Sequence, residues 1–146
     1  MGVSRRELIG VAALGVAQTY VGVSSANAMV DGRPEKIRLI PDEWHIHNVG
    51  RLKDGRLFWV DGQLAFGKPG PKDFVCTFLF DKDGRLTSNN IELIGERGGY
   101  PAEGVTRAFS AHLAALGEHT VTDIWIRLFS VKSHGHVFGL IPRRLD

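Results

Sequence analysis

Phe74-Val-Cys-Thr-Phe-Leu-Phe80, then Asp81-Lys-Asp-Gly84, then Arg85 to Ile94 is the stretch from which the fold is read. The first run is β-branched, aromatic and aliphatic, broken only by a Cys and a Thr that pack well in a pleat. Short apolar runs bounded by turn formers predict a strand buried on both faces. Asp83-Gly84 supplies the positive φ that a tight hairpin needs. The returning stretch carries Ser88, Asn89, Asn90 and Glu92, and this wetter composition places it nearer a sheet edge.

On the N-terminal side, Leu57 to Phe66 puts Phe58, Val60, Leu64 and Phe66 on one face and Trp59, Asp61 and Gln63 on the other. That period of two predicts a half-buried strand. Lys53-Asp-Gly-Arg-Leu57 precedes it, and the same five letters recur at Lys82–Leu86, which reads as one turn chemistry used twice. Trp44 to Leu52 alternates weakly and predicts a first strand, preceded by a polar leader over 29–43.

On the C-terminal side, Gly95-Glu-Arg-Gly-Gly99 leads through Tyr100-Pro101 into Val105, Phe109, His112, Leu113 and Leu116, which recur at helical spacing and stop at Gly117. Asp123 to Val131 is apolar on both faces, Lys132–Gly135 turns it, and Val137 to Ile141 returns. The expected order over 44–146 is β-β-β-β-α-β-β. This is an α+β domain, a single mainly antiparallel sheet of about six strands with one covering helix. Six strands span roughly 29 Å, whereas a helix with its side chains is about 10–12 Å across, so the helix covers two or three of them. The remaining apolar positions need sheet curvature, the leader or another molecule.

Composition limits the partners. The 146 residues are 43% hydrophobic and 23% charged, with a formal net charge of +2, which is the profile of one globular domain. Without Arg5, Arg6 and Glu7 the balance is 16 basic to 15 acidic residues, which offers no footprint for nucleic acid. The lone Cys76 forms no internal disulfide, and its place in the strand makes it a core residue.

Residues 1–28 have the layout of an export signal: Arg5-Arg6, an apolar stretch, and the cleavage pattern Ala26-Asn27-Ala28. Ser4-Arg-Arg-Glu-Leu-Ile9 resembles the twin-arginine motif. The stretch Leu8–Val23 is too short and too weakly apolar for a membrane span. The expectation is an exported protein with no stable span after signal removal; a start at Met29 would instead give a cytoplasmic domain.

Several residues invite a chemical reading. His45 and His47 share one strand face and form a candidate metal pair, with Glu43, His134 and His136 as further ligands if the fold brings them near. Gly98, Gly99 and Arg97, between a strand and a helix, form a candidate anion loop, although Gly95–Gly99 matches neither phosphate-loop pattern. Asp81, Asp83 and Glu92 fall at calcium-loop positions by count, but Leu86 stands where that loop requires glycine. No catalytic constellation and no cofactor are flagged. Trp59 and Trp125 are the expected anchors of an uncovered sheet face.

Val49–Phe58, Phe78–Arg85, Asp123–Phe129 and Val137–Ile141 together resemble a group of small bacterial proteins labelled formate hydrogenlyase regulatory protein. The likeness spans residues 44–142 and rests on turns and core strands, so it implies common descent far more than activity and brings no catalytic residues. Members start near the position of Met29, so residues 1–28 are a departure that undermines the regulatory label, because an exported protein does not meet a cytosolic transcription factor. The function expected is a binding or regulatory module acting by protein contact or as a homodimer. The alternatives are a metal- or anion-binding exported protein and an enzyme whose cleft the sequence does not flag.

Overall fold

The computed structural model describes residues 29–30, 32–42 and 46–141. The signal-like segment with Arg5, Arg6, Ala26 and Ala28, and also His45, lie outside the described residues. In chain order these hold β1 (Met29–Val30), β2 (Arg33–Pro34), β3 (Lys36–Leu39), β4 (Asn48–Leu52), β5 (Leu57–Ala65), β6 (Lys72–Phe80), β7 (Leu86–Glu96), α1 (Glu103–Ala115), β8 (His119–Val121), β9 (Ile124–Arg127), β10 (Phe129–Ser133) and β11 (His136–Leu140). The class is α+β, with antiparallel pairing and one helix among the described residues.

The central hairpin forms as its composition dictates. β6 is buried on both faces and pairs with β5 on one side and β7 on the other. Both copies of the Lys-Asp-Gly-Arg-Leu stretch make the same turn: Gly55 N–H donates to Leu52 O and Gly84 N–H to Asp81 O, each at 3.0 Å. Gly84 has φ +85°, and a Cβ there would lie 2.6 Å from the Trp125 carbonyl oxygen. This turn therefore docks on β9 as well as reversing the chain, and only glycine satisfies both demands.

The main sheet has five strands, in the order β7-β6-β5-β4-β8. The expected single sheet of about six strands is corrected in three places. Asp123–Val131 is not one strand: β9 pairs with β3, and β10 pairs with β11. The chain after the helix adds β8 beside β4, a three-residue strand too short to leave a periodic signal. The segment before Asp42 is part of the fold, because Ile37 and Leu39 of β3 are wholly buried.

These corrections resolve the question of cover. α1 packs on β5, β6 and β7 through Val105, Ala108, Phe109, Leu113 and Leu116, which meet Phe58, Val60 and Val75. Three strands are what one helix can reach. The opposite face is closed by β3–β9 and β10–β11, whose Ile37, Leu39, Ile124, Ile126, Phe138 and Leu140 meet Trp59, Phe74, Cys76, Phe78 and Phe80. β5 accordingly buries both faces over Leu57–Val60 rather than one, while Phe66 at its end is 58% exposed. Among the described residues no helix is long and apolar enough to cross a membrane.

Charged side chains tie the outer strands to the central turn. Asp83 accepts from Lys36 Nζ at 3.0 Å and from Arg127 Nη2 at 2.8 Å, and Arg127 also reaches Glu35 at 2.9 Å. Hydrogen bonds first from Lys36 and then from Arg127 hold the Asp83 carboxyl below the usual carboxylate range. The group is exposed, so the network fixes register more than it stabilises.

Candidate functional site

The sheet's closed faces change where a partner could bind. Trp59 is 1% exposed, with Phe78 at 5.5 Å and Phe129 at 6.2 Å between ring centroids, so it is core and not a surface anchor. Trp125 is half-buried on the outer face of β9, opposite Arg38 of β3, whose guanidinium lies 6.0 Å from the ring centroid. The uncovered apolar face expected for these two residues does not exist in the described fold.

Among the described residues the histidines share no common ligand. His47 is exposed, and among the described residues no group of three or more His, Cys, Asp or Glu side chains could hold a metal ion. His134 and His136 each set a ring edgewise to Phe74, with centroids 5.4 and 5.9 Å away. They flank the mouth of the inner core rather than reach a common ligand.

The glycine loop is also committed internally. Arg97 Nη2 donates to Asp73 Oδ1 at 2.9 Å, Arg97 N–H donates to Pro71 O, and Gly99 N–H donates to Glu96 O. Tyr100 O–H donates to the same Asp73 carboxylate. Burial pushes the Asp73 carboxyl up, but the bonds from Arg97 and Tyr100 outweigh it and hold the group below the usual range. Asp73, Arg97 and Tyr100 thus clasp the β7–α1 connection to the start of β6.

Behind the clasp lies a cleft of about 510 Å³, floored by Gly62–Leu64 and Asp73–Phe74 and walled by Val105 of α1. Gly62 lets the Phe109 ring that seats the helix lie close to β5, since a Cβ there would touch it at 3.4 Å. The volume is that of a small-molecule pocket, yet the polar groups at its rim already bond one another. Gln63, 6% exposed, turns its Nε2 to Asp61 Oδ2 at 2.9 Å.

Sequence reasoning missed a second buried polar group. Thr77 Oγ1 lies 2.7 Å from His112 Nδ1, and His112 Nε2 lies 2.8 Å from Glu92 Oε2. The carboxylate can only accept, so Nε2 carries a proton, and in the neutral ring the Thr77 hydroxyl donates to Nδ1. Hydroxyl, imidazole and carboxylate in a row is the order of an activated nucleophile. However, Thr77 is 8% exposed and mid-strand beneath α1, His112 is 4% exposed, and neither lines the cleft. The arrangement is a bolt between helix and sheet. The readable signal was His112 on the apolar stripe of the helix, a position that forces a buried imidazole to find partners.

Thr77→Val is expected to destabilise by about 1–3 kcal/mol, because it strands the buried imidazole. Adding His112→Leu should recover part of that loss, since neither partner then remains unpaired. Urea titrations of the two single variants and the double variant measure this, and simple additivity would mean that the bolt does not exist.

What remains open is an edge. β7 is eleven residues long and terminal in the main sheet; Thr87, Ser88, Asn89, Asn90, Glu92 and Leu93 are exposed. Among the described residues only β6 pairs with it. The wet composition of this stretch gave its edge position correctly. No family model matches the chain, and no curated protein or solved structure matches it.

Proposed function

We propose that this protein is a non-catalytic binding module with a regulatory role, acting by protein contact along the β7 edge. One observation carries the reading: both faces of the central strands β5 and β6 are covered, while the outer side of an eleven-residue strand presents backbone N–H and C=O groups to no described residue. Such an edge is a template for strand addition, in which backbone bonds give affinity and alternate side chains give specificity. The polar groups of the cleft and the bolt are spent on each other, whereas this edge, the longest of the described strands, keeps unmet bonding capacity.

The likeness to proteins labelled formate hydrogenlyase regulatory protein supports a regulatory role for a chain that starts at Met29 and stays in the cytoplasm. Arg5-Arg6 and Ala26-Asn27-Ala28 support a partner met after export, in the periplasm or outside the cell. Translation from Met29 would move that partner to the cytoplasm without altering the edge.

Amide hydrogen exchange tests the reading. Isotope-labelled protein returned to an extract of its own cells should show the outward amides of Ser88–Leu93 protected relative to dilute purified protein, with β6 amides unchanged. Equal exchange of β7 in both samples would sink it.

A further inference from the structure

Resting on the contact reading above, we propose that the occupant of the β7 edge is a second copy of this chain, added antiparallel with Asn90 facing Asn90 across a two-fold axis. The result is a continuous ten-stranded sheet with both helices on the same side.

The strand suits a copy of itself. Protected edges usually carry lysine, proline or covering elements, and Leu86–Glu96 contains no proline, lysine or arginine. Register shifts fall at Asp73/Phe74 and Leu79/Phe80, so Ser88–Leu93 is the regular part of the strand, free of bulges. Within it, Ser88, Asn90 and Glu92 stand opposite Leu79, Thr77 and Val75 and share the helix face, while Asn89, Ile91 and Leu93 share the inner face.

Facing residues in an antiparallel pair share a sheet face, so a two-fold axis normal to the sheet must pass through a residue. Centring on Asn90 sets Asn90 against Asn90, Asn89 against Ile91, and Ser88 against Glu92. The two Glu92 carboxylates, the only charges in the regular stretch, then stand four residues apart, about 13 Å along the strand. Centring on Ile91 would bring them to a diagonal of about 7–8 Å. Centring on Asn89 would part them further but would pair only Ser88–Asn90 within the regular stretch, so charge and overlap together select the Asn90 register.

The opposite edge of the sheet makes the assembly close. β8 is three residues long, so the main sheet has a single long edge. An isologous pair uses that edge up and cannot continue into a fibre.

Sedimentation equilibrium of the full chain between about 1 and 100 μM provides the test, at dimer affinities typical of small interfaces. Ser88 is exposed, and replacing it leaves both cores intact. Ser88→Glu faces Glu92 of the partner subunit twice in each dimer and should weaken association by about two- to thirtyfold in Kd, and Ser88→Lys should strengthen it similarly. Thermal melts of both variants should match the parent fold at low concentration. Opposite signs for the two charges support the proposal, whereas equal effects overturn it by removing the register. A parent chain that stays monomeric overturns it too; β7 protection in extract would then leave the contact reading standing with a different partner, and its absence would end both.

Discussion

Phe78→Ala is expected to cost about 3–5 kcal/mol, out of the roughly 5–15 kcal/mol that holds a domain of this size together. Phe78 is 1% exposed at the centre of β6. Its ring meets Phe129 of β10 at 4.9 Å and Trp59 of β5 at 5.5 Å, so it spans from the main sheet to the layer that covers it. Phe129 also packs on Phe80 at 5.3 Å. Truncation opens a cavity between two layers held apart by other rings, and such a site collapses poorly. The melting temperature should fall by roughly 10–20 °C. Phe66→Ala is the control, since Phe66 is 58% exposed and surface truncations usually stay within about 0.5 kcal/mol. A Phe78→Ala protein that melts with the parent would mean that the two layers do not meet at this ring.

The difference between what was legible and what was not follows sequence distance. The hairpin and the helix were readable because turn, period and stop lie within a few residues of one another: Asp83-Gly84, the β6 run, and Val105 to Gly117. The covering layer was not. Lys36-Ile-Arg-Leu39 is four alternating residues in a polar stretch, and its meaning comes only from pairing with Arg127-Ile-Trp-Ile124 far along the chain. Ile37 and Ile126 then fall opposite each other and close the inner face. The same holds for Trp125, whose neighbour Ile126 is core while its own ring stays on the outside.

The site residues divide in the same way. Arg97 was recognised as a poised cation, but its partner Asp73 begins a strand 24 residues earlier, so the ion pair was invisible. Trp59 looked like an anchor because one helix could not cover the sheet, and that arithmetic was sound. The leader was one of the covers it allowed, and Ile37 and Leu39 supply it; the last strands, expected within the same sheet, were the cover it did not foresee. One signal could have been used from the start. Asp61 places a carboxyl on the face of β5 that Trp59 and Leu57 give to the core, and an acid among core positions marks either a partner or a displaced pKa.

That carboxyl is expected to make the stability of this protein fall as pH rises toward neutrality. Asp61 stands opposite Cys76 on the inner face of β5 and β6, and burial pushes its carboxyl up to about 7, against smaller opposing effects of the Gly62 N–H and the Gln63 amide. Burial and the nearby Asp61 carboxylate also push the Cys76 thiol up, so it stays protonated. The folded chain holds the Asp61 proton to about pH 7, whereas the unfolded chain releases it near 3.8. Between those values the folded state binds more protons, so stability declines with rising pH and is flat above about 7. At about 1.4 kcal/mol per pH unit the loss has a ceiling of roughly 4 kcal/mol, reduced by the solvent that reaches a half-buried group. Asp73 and Asp83, both held low, act in the opposite sense: their contribution is present above the unfolded carboxylate value and is lost only as pH falls below it. The decline between about pH 4 and 7 therefore belongs to Asp61, and Asp61→Asn should remove it. Urea unfolding of parent and variant across this range should show similar stability near pH 4 and a growing advantage for Asp61→Asn, about 2–4 kcal/mol by pH 8. A difference between the two proteins that does not change with pH would mean that the carboxyl is ionised in the folded chain, and that solvent reaches it freely.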